Sequence, residues 1–100
     1  MHTVFSYDLK IPNGERRSEV EGRIEAILQP YHHVRRLTTF YIIHVDTQAD
    51  WNALLSRLTA LSREIPEDLH FIMSPPTDGG RYNGILPRGD WDEVNEITNM

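Results

Sequence analysis

Asp8 is the side chain whose position most directly predicts chemistry, because it stands at the end of the first predicted strand. That strand covers residues 2–10, and the ends of strands are where small α/β proteins place polar groups. Asp8 has two interpretations: it holds a divalent metal ion, or it accepts backbone N–H bonds and begins a tight turn. The spacing of the residues around a lone carboxylate leaves both open.

Arginines supply nearly all of the positive charge, since Lys10 is the only lysine. Guanidinium groups bind phosphate or carboxylate in bidentate fashion, so Arg35, Arg36 and Arg81 are candidate phosphate contacts. The formal net charge of −5 opposes a large nucleic-acid footprint, because proteins that neutralise phosphates are usually basic. In the alternative interpretation, these arginines are surface residues paired with the many glutamates.

The histidines and one loop are further candidates. His32 and His33 are adjacent, and neighbours in an extended segment point to opposite faces, so we do not expect them to chelate one ion together. His44 and His70 are neighbours only if their strands pair, and the sequence leaves that register open. Residues 77–81 (TDGGR) either contact phosphate or connect a hairpin, and they lack the pattern of a nucleotide-binding P-loop.

Hydrophobic periodicity predicts the elements that position these residues. Residues 2–10 alternate with a period of two and have one mostly apolar face. A helix is predicted from Arg16 and ends at Pro30; Ser18 opens a capping-box pattern, and Asn13 is an alternative cap nearer the loop. The residues of its apolar stripe are Val20, Ile24, Ile27, Leu28 and Tyr31.

Residues 34–45 form the longest strand candidate and are dense in β-branched and aromatic residues. Both of its faces are apolar, so we expect this strand to be central in a sheet, to be covered by a partner, or to bend and serve as two strands. Thr47 and Asp50 are spaced as a capping pair for a second helix, which ends at Ile65 before Pro66.

The remaining residues complete the predicted fold. Residues 69–73 form a short strand, residues 74–80 a loop, and residues 81–86 a fourth strand, before Asp90 caps a final helix. The resulting order is β-α-β-α-β-β-α. It predicts a single domain over residues 1–100 with an α+β fold, a ferredoxin-like βαββαβ-type sandwich with a short C-terminal helix.

The sheet face turned away from the two long helices must meet either water or another subunit. Phe40 and Ile42, with Phe5 or Tyr7, are available to line that face. We therefore expect a homodimer that packs sheet on sheet.

Composition excludes several other classes of protein. The sequence has no apolar run that approaches the roughly 20 residues of a membrane span, and its start lacks the basic region of a signal peptide. Without cysteine there is neither a disulfide framework nor a thiolate metal site. We therefore expect a cytoplasmic protein with no membrane association.

Five segments occur in an order shared with a known group: residues 7–9 (YDL), 37–42 (LTTFYI), 69–73 (LHFIM), 84–87 (GILP) and 90–91 (DW). This order resembles the small CRISPR-associated ferredoxin-fold proteins that partner the spacer-integration nuclease. It is more similar still to their short non-CRISPR relatives. The likeness spans most of the chain and rests on order and spacing.

The resemblance implies a homodimer and, in some members, metal-dependent cleavage of RNA or double-stranded DNA. It carries over one functional position, the acid after the first strand, which Asp8 matches. In the dimer the two copies of Asp8 would face each other and share a Mg²⁺ ion, which needs few carboxylates beside water and substrate phosphate. The acidic balance of this chain departs from the nucleases of the family.

Two functions are therefore expected from the sequence. The first is a nucleic-acid-binding homodimer, with Asp8 as catalytic residue and metal ligand and with Arg35, Arg36 and Arg81 on phosphates. The alternative is a non-enzymatic interaction module, such as an antitoxin, immunity protein or defence-associated adaptor, whose acidic surface binds a basic protein. The net charge favours the second, and the resemblance favours the first.

Overall fold

A computed structural model describes residues 1–87 and 89–100 of the chain. The described residues form four strands, β1 (His2–Leu9), β2 (His33–Leu37), β3 (Phe40–His44) and β4 (Leu69–Met73). They also form three helices, α1 (Glu15–Leu28), α2 (Gln48–Glu64) and α3 (Asp90–Thr98). The strands make one antiparallel sheet in the order β2-β3-β1-β4, so the chain is a small α+β structure.

The long apolar segment over residues 34–45 is a hairpin rather than one strand. It turns at Thr38 and Thr39 between β2 and β3, and the Nε of Arg35 donates a 2.7 Å hydrogen bond to the Thr38 carbonyl. The pairing is irregular around Arg36, where one extra residue of β2 faces β3. The prediction of a single long strand is wrong, and the alternative, a strand that bends to serve as two, is confirmed.

The predicted fourth strand over residues 81–86 is absent from the described structure. These residues follow an irregular path across the sheet, and Gly84 has φ 151°, a backbone conformation that favours glycine. The fourth strand of the sheet comes from the hairpin instead. The hairpin connection predicted at residues 77–81 is therefore also wrong; Thr77 forms an isolated bridge with His2 through two backbone hydrogen bonds of 2.8 and 2.9 Å.

The main core lies on the inner face of the sheet, which we define as the face covered by α1 and α2. Phe5, Tyr7 and Leu9 share one face of β1, as their spacing of two predicts, and that face points inward. Tyr41 and Ile43 join them from β3, and the aromatic rings stack or tilt against one another at centroid distances of 5.6–6.2 Å. The helices contribute Val20, Ile24, Leu28, Leu54, Leu58 and Leu61.

The outer face of the sheet, opposite the inner face, is covered by α3 along β2 and β3. Val34 and Ile42 of the sheet are buried against Val94 and Ile97 of α3 in a second, smaller core. This arrangement corrects the list of residues expected at a dimer contact. Ile42 lies beneath α3, and Phe5 and Tyr7 lie in the main core. On β4 the outer face is open, and Ile72 is 76 % exposed.

Of the caps predicted for the three helices, one is confirmed. Thr47 caps α2, its hydroxyl accepting a 3.1 Å hydrogen bond from the Asp50 amide, as predicted. Helix α1 instead begins after Gly14, so neither Ser18 nor Asn13 caps it. Asp90 is the first residue of α3, after Gly89 at φ 95°. Within the described residues, no helix combines the length and apolar character needed to cross a membrane.

Candidate functional site

Asp8 lies within β1 on the open part of the outer face. Its side chain is exposed, and its partner in the β1–β4 register is His70. Ser6, two residues earlier on the same face, is opposite Ile72. These residues line a shallow depression of about 250 Å³. The tight turn expected as one alternative for Asp8 does not form at this position, because β1 continues through Leu9.

The groups around Asp8 do not by themselves form a metal site. The Nε2 of His70 donates a 2.9 Å hydrogen bond to the Pro66 carbonyl. Across residues 1–87 and 89–100, no three His, Asp or Glu side chains are grouped so that they could hold an ion. A metal ion on Asp8 therefore needs further ligands from a second chain, a substrate or water, which is the arrangement that the resemblance implies.

Two of the three predicted phosphate contacts are paired within the chain. The guanidinium of Arg35 lies 5.5 Å from the centre of the Tyr41 ring and 3.7 Å from Oε1 of Glu25. Arg36 forms an ion pair with Glu93, and its Nε lies 3.9 Å from Oδ1 of Asp90. Arg35 therefore pairs with α1, whereas Arg36 pairs with α3.

Arg81 lies in the segment that follows β4, and its side chain is exposed. Near the start of this segment, Oδ1 of Asp78 lies 3.5 Å from the amino terminus, which directly precedes β1. Asp8 lies near the far end of β1, at the pairing with His70. The predicted catalytic residue and the predicted phosphate contacts are therefore spread over different elements.

A buried tyrosine and a glutamate form a polar contact that the sequence did not predict. The Tyr41 hydroxyl donates a 2.5 Å hydrogen bond to Oε1 of Glu25 on α1. Burial of the ring and this carboxylate together raise the pKa of Tyr41 well above its ordinary value. Burial also raises the pKa of Tyr7, which stacks on Tyr41. The contact connects the sheet to α1 and favours the protonated form of Tyr41.

The structure separates His44 from His70, the pair whose register the sequence left open. His44 pairs with His2 and His70 pairs with Asp8, because β1 lies between β3 and β4. His44 Nε2 lies 2.8 Å from Oδ1 of Asp46. His33 donates from Nδ1 to the Tyr31 carbonyl at 2.8 Å, whereas His32 is exposed. His2 is buried, with Nε2 2.7 Å from the Tyr82 hydroxyl.

The second feature that the sequence did not predict is an apolar cleft of about 290 Å³, which we name the α3 cleft. Its floor is the outer face of β2 and β3, and its walls are α3 and residues 82–86. The residues that line it are Val34, Arg36, Leu37, Phe40, Ile42, Tyr82, Asn83, Gly84, Ile85, Leu86, Trp91 and Val94. The apolar spacing of Trp91 and Val94 predicted that this helix packs against another element, but it did not indicate which element.

Helix α3 gives this region a negative surface. It carries four carboxylates, Asp90, Asp92, Glu93 and Glu96, and no Lys or Arg. Arg36 pairs with Asp90 and Glu93 from the sheet side. Asp92 and Glu96 are exposed. Acids in the first turn also favour the helix, because they oppose the positive end of its dipole.

Comparison with known proteins does not assign the chain to a family. The chain matches neither a protein-family model nor a curated protein.

Proposed function

We propose that this protein is a non-enzymatic interaction module that binds a basic protein partner through an acidic surface centred on α3. The observation that carries the proposal is the charge of α3, which has four carboxylates and no basic residue, with Asp92 and Glu96 facing solvent. Arg36 neutralises part of this charge from beneath the helix, on the side of the sheet.

The charge of the whole chain supports the same proposal. A net charge of −5 attracts a basic partner from a distance and repels polyanions such as nucleic acid. Two of the three arginines expected to contact phosphate are held beside carboxylates of the chain itself. Releasing them for phosphate would cost those ion pairs.

A pull-down with the immobilised chain tests this function. Bound proteins should be basic and should be released as NaCl is raised from about 0.1 to about 1 M, because the Debye length shortens from about 10 Å to about 3 Å. The double variant Asp92→Lys, Glu96→Lys should lose them. The matched control Glu19→Lys, Glu67→Lys changes two exposed acids elsewhere by the same charge and should retain them. Recovery of nucleic acid alone would contradict the proposal.

A second candidate is the nucleic-acid-binding homodimer that the resemblance implies, with Mg²⁺ shared between the Asp8 carboxylates of two subunits. The observation that favours it is the exposure of Asp8 on the open part of the outer face, where a second chain or a substrate can reach it. The sheet order β2-β3-β1-β4 is compatible with a ferredoxin-like fold. In this proposal Arg81 is the phosphate contact available without breaking one of the ion pairs described above.

Cleavage assays distinguish this candidate from the first. Purified protein should cut single-stranded RNA or duplex DNA with Mg²⁺, and Asp8→Ala should abolish cleavage while the dimer persists in light scattering. Asp46→Ala removes another exposed acid and serves as the matched control. Equal activity in wild type and Asp8→Ala would identify a contaminating nuclease and remove the support for this candidate.

A further inference from the structure

The α3 cleft has the shape and lining of a site for an apolar side chain. Its floor contains Val34, Phe40 and Ile42, and Trp91 and Val94 form the wall on the side of α3. Its volume of about 290 Å³ is just below the range of about 300–1,000 Å³ that is usual for small-molecule sites. The space therefore suits one or two side chains of a partner better than a complete cofactor.

Two large apolar side chains at the rim of the cleft are exposed to solvent. Leu37 at the end of β2 is 55 % exposed, and Ile85 in the segment before α3 is 96 % exposed. A single exposed apolar residue is ordinary, but two that flank an apolar concavity extend it into one continuous patch. Covering this patch would remove apolar surface from water, and each Å² buried in this way stabilises a complex by about 25 cal/mol.

The charge beside the cleft determines which partner is complementary to it. Asp92 and Glu96 are exposed on the helix that forms one wall. The charge of Arg36, the basic residue in the lining, is balanced by Asp90 and Glu93. Asp92 and Glu96 stand two residues on either side of Val94, so they lie on the outer side of α3, away from the sheet. A segment that enters the cleft and continues over α3 therefore meets apolar surface inside the cleft and negative charge on the outer side of the helix.

We propose that the α3 cleft binds a segment of a partner protein that inserts one large apolar side chain and carries Lys or Arg beside it. This inference rests on the proposed function and adds to it the place of binding and the pattern of the ligand. The apolar anchor supplies the buried contact. The flanking cations pair with Asp92 and Glu96 and set the preference for a basic sequence.

A second copy of this chain is a poorer occupant for reasons of charge. In a symmetric dimer the same patch occurs on both subunits. Two α3 helices would then approach each other, and their exposed Asp92 and Glu96 carboxylates would repel. Nucleic acid meets the same repulsion from its phosphates.

A display library of random peptides about a dozen residues long, selected against the full chain, tests the inference. Enriched peptides should share one Leu, Ile, Met, Phe or Trp with Lys or Arg close to it. Binding of a selected peptide, measured by fluorescence anisotropy, should weaken about tenfold or more in Ile85→Asp. The matched control Ile72→Asp makes the same change at another exposed isoleucine, outside the cleft, and should weaken binding by less than about twofold.

Circular dichroism establishes that both variants fold, which their exposed positions favour. If selected basic peptides lose affinity in Asp92→Lys, Glu96→Lys but bind Ile85→Asp as tightly as wild type, the proposed function stands and the cleft inference is overturned. If the enriched peptides are not basic, the proposed function and this inference both fail. Self-association that Ile85→Asp abolishes, without peptide enrichment, would overturn the inference in favour of a second copy.

Discussion

The attachment of α3 to the sheet can be tested by removing one side chain, Ile97. This residue is 1 % exposed and packs with Val34, Ile42 and Val94 in the smaller core. It does not line the α3 cleft, so Ile97→Ala perturbs the attachment of the helix while leaving the cleft wall in place. A helix of nine residues is too short to be stable alone in water, so its packing must hold it.

The magnitude of the effect follows from the atoms removed. Isoleucine has three more carbon atoms than alanine, and burial of each contributes about 0.8 kcal/mol, or about 2.4 kcal/mol together. The cavity left behind adds to this, and measured losses for such changes are about 2–5 kcal/mol. We expect Ile97→Ala to lower the free energy of unfolding by about 3 kcal/mol. The total free energy of unfolding of a small protein is about 5–15 kcal/mol, so this loss is a large part of it.

Urea unfolding followed by circular dichroism and tryptophan fluorescence measures the change, and Trp91 on α3 reports on the helix itself. The melting temperature should fall by about 12 °C or more, at about 4–8 °C for each kcal/mol. Ile72→Ala, at a position 76 % exposed, is the control and should change stability by less than about 0.5 kcal/mol. A loss of less than about 1 kcal/mol in Ile97→Ala would refute the packing of α3 on the sheet, and with it the cleft.

Three further predictions concern single side chains. Burial, together with the nearby amino terminus, lowers the pKa of His2. The unfolded chain therefore binds more protons at this position, stability falls as pH drops below about 6.5, and His2→Gln should reduce that fall in a urea titration. Tyr41→Phe removes the hydrogen bond to the half-exposed Glu25 and should cost about 1 kcal/mol by thermal unfolding. Thr47→Ala removes the cap that accepts from the Asp50 amide and should cost about 1 kcal/mol in the same assay.

Each of these predictions has a matched control. His32→Gln changes an exposed histidine. It should alter the difference in stability between pH 7 and pH 5 less than His2→Gln does. Tyr31→Phe and Ser56→Ala change a hydroxyl without breaking either hydrogen bond, and each should alter stability by less than about 0.5 kcal/mol. Equal effects in a variant and its control would contradict the role given to that side chain.

Local patterns predicted the elements whose signals lie within a few residues. The alternation of β1 put Phe5, Tyr7 and Leu9 on one apolar face, because side chains in a strand alternate regardless of what it pairs with. It did not show that this face turns toward the two long helices, and Phe5 or Tyr7 was expected on the opposite face. The Thr47 cap was found because a cap and the amide it binds are three residues apart. The turn at Thr38 and Thr39 was harder to predict, because β-branched residues favour strands and no Gly or Pro marks the reversal of the chain.

The candidate sites depend on contacts between residues distant in the sequence. The pairing of Asp8 with His70 is set by strand register, which no local pattern around Asp8 contains. The α3 cleft combines β2 and β3 with residues 82–86 and α3, and the spacing of Trp91 and Val94 does not say which surface they cover. The predicted strand over residues 81–86 was wrong because these residues pack on the outer face instead of pairing at an edge.

Binding of a basic protein through α3 is tested by the affinity of a purified basic partner, measured against salt in wild type and in Asp92→Lys, Glu96→Lys. We predict that wild-type affinity falls steeply between about 0.1 and about 1 M NaCl. The α3 variant should bind weakly at the lower salt and respond little to the change, whereas Glu19→Lys, Glu67→Lys should behave like wild type. Equal affinity and equal salt dependence in the wild type and the α3 variant would contradict the claim that the acidic surface of α3 binds the partner.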